Sequence, residues 1–365
     1  MNVVFPFGLE TATLFYLSLY MLTLVVHVIF MSYVLAGSLY LAWANLFPGT
    51  GSVPRLQQPL ACLLRDWMPF VLSAAITAGV APLLFVQIAY PVHFYTANLL
   101  LGWRWMVVVP VLTFAFYLLY VLKSTWITKL TFAWRTAVGM AAAGCFLFIA
   151  FCWSANHLLG IDSTQWPTAY ASSQYITSHI TLAMRLLMWI AGTFPVMCIF
   201  AGWQLTFHRP AATLERTAGF RQLAFTAMTG LVISCITAVA YISQMSEEVT
   251  AHLMGTAGML WMATALVGIT LQIAGWLWRY FKSSMNIQLL LLLTLGGILM
   301  LIGTVVLREI IRVTIVGSET LSSRTTVAFE VGGFWVFLFF ATLNTGLICL
   351  CIRLIWRSEI TAEKQ

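Results

Sequence analysis

Charged side chains are scarce in this sequence of 365 residues. Asp, Glu, Lys and Arg together account for 8% of the chain, whereas hydrophobic residues account for 61% and the mean hydropathy is +0.93. A water-soluble domain of this length could not cover its surface with so few charges. The composition therefore predicts a polytopic membrane protein in contact with a lipid bilayer.

The signatures of several enzyme and metal-site classes are also missing from the sequence. The seven cysteines form no C-x-x-C or C-x-x-C-H pattern, which argues against covalent c-type haem and iron–sulfur clusters. The sequence contains no Walker, G-x-G-x-x-G or G-x-S-x-G pattern. The net charge of +7 is explained by membrane topology, so no nucleic-acid partner is expected.

Long apolar runs fill most of the chain. About 20 apolar residues are needed to cross a bilayer as a helix, and most of these runs are longer. We therefore expect an all-α bundle of about nine transmembrane helices that forms one integral membrane domain over residues 1–365. The helices are predicted near 10–46, 68–92, 100–122, 133–157, 176–207, 221–243, 251–281, 287–313 and 331–356.

The distribution of basic residues indicates the orientation of these helices. Most Lys and Arg residues fall in alternate connections or in the C-terminal tail, and few fall on the opposite side. This asymmetry predicts a multi-pass protein with its N-terminus outside and its C-terminus inside. The first ten residues contain no basic side chain and lead into a long apolar run, so the first helix is expected to be retained.

Polar side chains inside the predicted helices are the candidate functional residues, because they are costly in a bilayer. They are His27, His179 with Arg185, and Glu309 with Arg312. A lone histidine in a helix bundle is more often a hydrogen-bond donor between helices than a metal ligand. A functional interpretation therefore depends on several candidates lying at the same depth.

His179 and Met254 lie at the same predicted depth. Each is about three residues into a helix that begins at the outer face, and Glu309 lies near the outer end of its own helix. A His and a Met from facing helices are a suitable axial pair for a low-spin haem b. Arg185 either neutralises a haem propionate or pairs with a carbonyl group; the sequence leaves both open. Methionine is also a common packing residue, which is the alternative for Met254.

Several short strings together resemble subunit I of the cytochrome bd quinol oxidases. They occur in the family's order: "HVIFMSYVLAG" in the first helix, "LFIAFCWSANHLLG" at the end of the fourth, "SSQYITSHITLAM" in the fifth, "AHLMGTAGML" in the seventh and "LREIIR" in the eighth. The resemblance implies His179 and Met254 as low-spin haem b ligands and His27 and Glu309 at high-spin haem. It implies Arg312 as the arginine beside the haems and a bacterial-type inner (cytoplasmic) membrane as the location.

Two features depart from the family's pattern. The family's long quinol-binding loop between helices six and seven is here only "SQMSEEVTA", and the third helix, "GWRWMVVVPVLTFAFYLLYV", contains no carboxylate. Proton delivery to bound oxygen requires a titratable chain of this kind. The departures therefore favour a bd-like protein that works with other redox subunits.

Three hypotheses remain open. The first is a haem b-containing electron-transfer subunit of a cytochrome bd-like respiratory complex, passing electrons between quinol and an outer-face redox partner such as a c-type cytochrome. The second is a bd-type quinol:oxygen oxidoreductase subunit with a relocated quinol site. The third is a haem-free membrane scaffold, in which the histidine and methionine are packing residues. The first two imply one or more haem b groups, a quinol and other membrane subunits of a respiratory complex.

Overall fold

A computed structural model describes residues 5, 7–47, 58–172, 180–207, 213–282, 285–330, 335–343, 346, 350 and 353, with backbone only at 128, 213–218, 320, 326 and 328–330. Within these residues, all regular structure is helical, which confirms the predicted all-α membrane bundle. The helices are α1 Thr11–Leu46, α2 Pro59–Ala89, α3 Pro91–Leu101, α4 Trp103–Met106, α5 Val108–Lys123, α6 Trp126–Lys129, α7 Phe132–Ile161, α8 Trp166–Ala171, α9 Ile180–Phe207, α10 Thr213–Ile242, α11 Glu247–Met254, α12 Thr256–Phe281, α13 Ile287–Val316 and α14 Ser318–Glu330.

Within the described residues, eight helical segments are long and apolar enough to cross a membrane. They are α1, α2, α4 with α5 (Trp103–Lys123), α7, α9, the Gly219–Ile242 part of α10, α12 and α13. These segments correspond to the first eight of the nine predicted helices. Most of the ninth predicted helix, 331–356, lies outside the described residues. Its described part includes 335–343, which are helical.

The predicted helix over 251–281 is wrong as one continuous element. The structure ends α11 at Met254 and starts α12 at Thr256, because Gly255 has an extended backbone, with φ −70° and ψ 167°. Gly258 then packs so closely on the end of α11 that a Cβ there would collide with the carbonyl oxygen of Leu253. Met254 is therefore the last residue of a short helix, and not the fourth residue of a membrane-spanning one.

Small residues allow the closest helix contact, between α12 and α13. A Cβ at Gly303 would stand 2.7 Å from the backbone nitrogen of Ala265, and a Cβ at Gly296 would stand 2.9 Å from the Leu271 side chain. Such close backbone approach is the usual means of helix association in membranes, where burial of apolar surface provides little driving force. The pairs α1 with α2 and α9 with α10 also pack along their length.

A buried apolar cluster surrounds the end of the bundle where the polar candidates collect. It includes Tyr16 and Tyr20 of α1, Phe85 near the end of α2, and Val306 and Ile310 of α13. This end, formed by the first turns of α9 and the last turns of α7, α10 and α13, is called the cluster end below. Arg185, Glu309 and Arg312 are buried at this end.

Candidate functional site

Eight polar side chains lie at the cluster end and are here called the polar cluster. Hydrogen bonds and ion pairs join six of them, and Arg185 and Tyr241 form a separate hydrogen-bonded pair. The helices of the cluster are α1, α7, α9, α10 and α13, together with the residue that joins α2 to α3. Antiparallel packing places the ends of these helices at one depth, so residues distant in sequence become neighbours. The members are Tyr20, Tyr90, His157, Arg185, Tyr241, Arg308, Glu309 and Arg312.

Glu309 is fully buried, and both of its carboxylate oxygens are engaged. The Tyr90 hydroxyl donates a hydrogen bond to Oε1 at 2.7 Å. Oε2 lies 3.5 Å from Nη1 of Arg308 and 3.5 Å from Nη1 of Arg312. The guanidinium of Arg312 also lies over the Tyr90 ring, 4.8 Å from its centroid. A ligand role for Glu309 at iron would require an exchange of one of these contacts, and it stays a prediction.

His157 is held in one tautomer by two arginines. Its Nδ1 accepts hydrogen bonds from Nη2 of Arg308 at 3.1 Å and from Nη2 of Arg312 at 2.8 Å. A guanidinium can only donate, so Nδ1 carries no hydrogen and the neutral ring carries its hydrogen on Nε2. Nε2 is buried and has no hydrogen-bond partner. The site therefore contains a buried N–H donor that no described side chain satisfies.

Arg185 joins the cluster from α9. Its Nη1 donates to the Tyr241 hydroxyl at 3.1 Å, and its guanidinium lies 5.6 Å from the centroid of the Tyr241 ring. The positive charge of Arg185 acts on the His157 ring, and the positive charges of Arg308 and Arg312 act on the Arg185 guanidinium. Its Nε is buried without a hydrogen-bond partner. Among the described residues, no carboxylate lies within ion-pair distance of Arg185.

A cavity of about 380 Å³ lies beside Tyr241, the hydrogen-bond partner of Arg185, although neither Arg185 nor His157 lines it. Thr181 and Leu182 of α9 and Leu158 of α7 line it, and these residues adjoin Arg185 and His157 on their own helices. Gln244, in the connection after α10, also lines it, as does Asp162, whose Oδ1 accepts hydrogen bonds from the backbone N–H and the hydroxyl of Thr164. The short connection between α10 and α11 therefore forms part of a cavity, although the sequence indicated that it was too short to build the quinol pocket of the resembled family.

The predicted low-spin haem ligands are not brought together in the described part of the chain. His179 lies outside the described residues. Met254 is 54% exposed at the end of α11. The neighbouring His252 stacks on Phe7, with 5.0 Å between ring centroids, and its Nδ1 lies 3.0 Å from the carbonyl oxygen of Glu248. The pairing of His179 with Met254 at a haem remains a prediction.

His27 lies apart from Glu309, deeper in the bundle. It is seven residues beyond Tyr20 on α1, which corresponds to about 10 Å along the helix. Its Nδ1 lies 2.9 Å from the carbonyl oxygen of Ala75 in α2. The imidazole also packs on Gly79, where a Cβ would stand 2.9 Å from both Cε1 and Nδ1. Gly79 thus provides the space that the His27 ring occupies.

Arg185, Glu309 and Arg312 were predicted from the sequence, whereas His157 was assigned no role and the tyrosines were missed. Tyr20, Tyr90 and Tyr241 have no local signal, because aromatic residues are common in membrane helices. A comparison of helix depths could have found Tyr241, since both it and His157 lie within a turn or so of the end of their helices.

Comparison of the chain with protein-family models and with curated proteins finds no match.

Proposed function

We propose that this chain is a haem b-containing membrane subunit of a cytochrome bd-like respiratory electron-transfer complex. In this role it passes electrons between quinol and an outer-face redox partner, together with other membrane subunits. The observation that carries the proposal is the setting of His27.

The His27 ring has the tautomer that an iron ligand needs. A backbone carbonyl can only accept, so the contact with Ala75 requires the hydrogen to be on Nδ1 of the neutral ring. The lone pair is then on Nε2. Histidine ligands commonly bind metal through one ring nitrogen while the other donates to a carbonyl or carboxylate, which fixes the tautomer and the ring orientation. The contact with Ala75 therefore supports a ligand role for His27.

The remaining polar residues suit the surroundings of such a group. Haem b would supply reversible one-electron transfer within the membrane. Arg185, Arg308 and Arg312 provide positive charge that would offset propionate groups, and Arg185 and Arg312 are each only 5% exposed. Residues with buried charge in a membrane usually mark a functional pathway, and the polar cluster has this character.

The test is a reduced-minus-oxidised optical spectrum and a pyridine haemochrome assay on the purified full-length chain. We expect haem b in the wild type, and loss of haem or a changed spin state in His27→Ala. The matched control is His252→Ala, which also removes a histidine but from a surface stack with Phe7. A wild-type protein that contains no haem would refute the proposed function, and a His27→Ala variant with the wild-type spectrum would refute the ligand role of His27.

The second candidate function is a haem-free membrane scaffold, favoured by the contacts of Glu309. Tyr90, Arg308 and Arg312 already use both of its carboxylate oxygens, so the network can stabilise helix packing by itself. The same haemochrome assay separates the two candidates, because a scaffold would purify without haem.

A further inference from the structure

A second group of charged side chains lies at the opposite end of the bundle, here called the basic end. It is formed by the last turns of α1 and α5 and the first turns of α2 and α7. The hydroxyl of Thr136 in α7 donates to the carbonyl oxygen of Asn45 in α1 at 3.3 Å. Nζ of Lys123 in α5 donates to the carbonyl oxygen of Asp66 in α2 at 2.9 Å. The distribution of basic residues predicts that this end is the inner face.

The basic end has more basic than acidic side chains. The connection from the end of α5 to the start of α7 contains no acidic residue and three basic ones, which are Lys123, Lys129 and Arg135. Arg65 adds a fourth positive charge from α2. Asp66 supplies the one negative charge among the described side chains of this end. Such an excess of positive charge favours an anionic partner.

Two of these basic side chains meet at Asp66. Lys123 donates to the backbone carbonyl of Asp66, which fixes the position of the ammonium group, and Nε of Arg65 lies 3.7 Å from Oδ1 of the Asp66 carboxylate. That distance is too long for a hydrogen bond, and Nε of Arg65 is buried without a hydrogen-bond partner. Among the described residues, no carboxylate lies within ion-pair distance of Lys123. The ammonium and the guanidinium therefore have N–H donors to offer to an oxygen-bearing anion.

The same helix faces continue into the membrane-spanning segments with exposed aromatic side chains. Phe70 follows Asp66 by four residues on α2 and is 65% exposed, and Tyr120 precedes Lys123 by three residues on α5 and is 51% exposed. Residues three or four positions apart share a helix face. Exposed rings in such segments lie against lipid chains. An anion at Arg65 and Lys123 would therefore lie where a lipid head group joins its chains.

Exposed tryptophans also place this end at the membrane surface. Trp126 begins α6 and is 56% exposed, and Trp134 lies in the first turn of α7 and is 65% exposed. Tryptophan is enriched at the level of the lipid head groups. Anionic phospholipids supply the negative charge of the inner membrane surface, and they attract basic segments beside membrane helices. The anion that fits this position is therefore the phosphate of a phospholipid.

We propose that Arg65 and Lys123 bind the phosphodiester of an anionic phospholipid whose acyl chains lie against Phe70 and Tyr120. The other basic side chains of residues 123–135 strengthen the attraction for the anionic head group. The site lies at the opposite end of the bundle from the polar cluster, and it does not depend on haem.

The test compares an anionic with a zwitterionic phospholipid on the purified full-length chain in neutral detergent micelles. The probes are phosphatidylglycerol and phosphatidylcholine with the same acyl chains, and affinity is measured from the dependence of the thermal unfolding midpoint on lipid concentration. One basic side chain near an anionic head group contributes about fivefold to affinity. With two such side chains, the wild type should prefer phosphatidylglycerol by about tenfold or more. Lys123→Gln should lower that preference by about fivefold.

Lys282→Gln is the matched control. Lys282 is also an exposed lysine at this end of the bundle, but it follows α12, where its Nζ lies 4.2 Å from the centroid of the Trp278 ring. This variant should change the lipid preference by less than about twofold. Arg65→Gln should behave like Lys123→Gln, and it provides the test if Lys123→Gln does not fold.

Three results would overturn the site. The first is equal affinity of the wild type for the two phospholipids. The second is an equal loss of preference in Lys282→Gln and Lys123→Gln, which would mean that the attraction is spread over the whole basic surface. The third is equal stabilisation by inorganic phosphate and by phosphatidylglycerol at the same concentration, which would make the ligand a soluble anion. Haem content is not part of this measurement, so failure of the lipid site and failure of the proposed function are distinguishable.

Discussion

Gly79→Ala tests the position of the His27 ring with a single methyl group. The added Cβ would stand 2.9 Å from two atoms of the imidazole, closer than real Cβ contacts allow. The ring must therefore move, and the hydrogen bond from Nδ1 to the Ala75 carbonyl, now 2.9 Å, must lengthen or break. Gly79 lies inside α2, so the substitution also brings the helix-forming advantage of alanine.

The expected change in the free energy of unfolding follows from these two opposing effects. Overpacking costs about 1–3 kcal/mol. Replacing a helical glycine by alanine raises the free energy of unfolding by about 1 kcal/mol. Gly79→Ala should therefore range from neutral to about 2 kcal/mol destabilising, and it should also alter any haem spectrum that depends on His27.

Gly144→Ala is the matched control. Gly144 is also inside a helix, α7, but a Cβ there would meet nothing within 4 Å. It should stabilise the protein by up to about 1 kcal/mol, so the two alanine variants should differ by about 1–3 kcal/mol in detergent-induced unfolding.

A double variant identifies the cause of the difference. In a His27→Ala background the clash is absent, so Gly79→Ala should then behave like Gly144→Ala. An equal cost of Gly79→Ala with and without the His27 ring would refute the close packing of this pair.

Three further predictions address the cluster end. Met254→Leu preserves volume and should change fold stability by less than about 1.5 kcal/mol. If Met254 is an iron ligand, this substitution should weaken the low-spin α-band, whereas His252→Ala should leave the band unchanged. The reverse result would make His252 the ligand. Tyr90→Phe removes the 2.7 Å donor to the buried Glu309 carboxylate and should lower the free energy of unfolding by about 1.5–3 kcal/mol, measured by detergent-induced unfolding; a neutral effect would contradict that hydrogen bond. Burial and the charge of Arg312 lower the pKa of His93, which lies in α3 outside the membrane-spanning segments, below its usual 6.5. A histidine with a lower pKa in the folded state contributes stability above pH 6.5 that is lost as the pH falls towards the folded-state pKa. His93→Gln should therefore flatten the decline of the thermal unfolding midpoint below pH 6.5. An unchanged pH profile in this variant would contradict the lowered pKa.

The membrane-spanning segments could be predicted from the sequence alone. Eight of them could be located because crossing a bilayer depends on a local property, a run of apolar residues long enough to span the hydrocarbon layer. Arg185, Glu309 and Arg312 were also recognisable as unusual, because the cost of a charged side chain in lipid depends on depth and can be judged one helix at a time.

The contacts among these residues were decided only by the tertiary structure. Tyr90 reaches Glu309 across 219 positions, and Arg312 reaches both Tyr20 and His157 on other helices. Such contacts depend on how far each helix is rotated about its axis and displaced along it, and one residue more or less turns a side chain by about 100°. Apolar periodicity in helices that face lipid on one side does not set this rotation, because lipid and core are both apolar.

The break in the helix at Gly255 was likewise decided only by the tertiary structure. A run of apolar residues predicted one helix through Met254, but local hydropathy contains no information about whether the backbone turns between two helices. The turn depends on the packing of Gly258 against the end of α11, where only a residue without a Cβ fits. The sequence alone therefore determined that Met254 lies near a membrane surface. Tertiary packing decided that its side chain is exposed at a helix end rather than enclosed within the bundle. The reason is that only the arrangement of the neighbouring helices determines what covers this side chain.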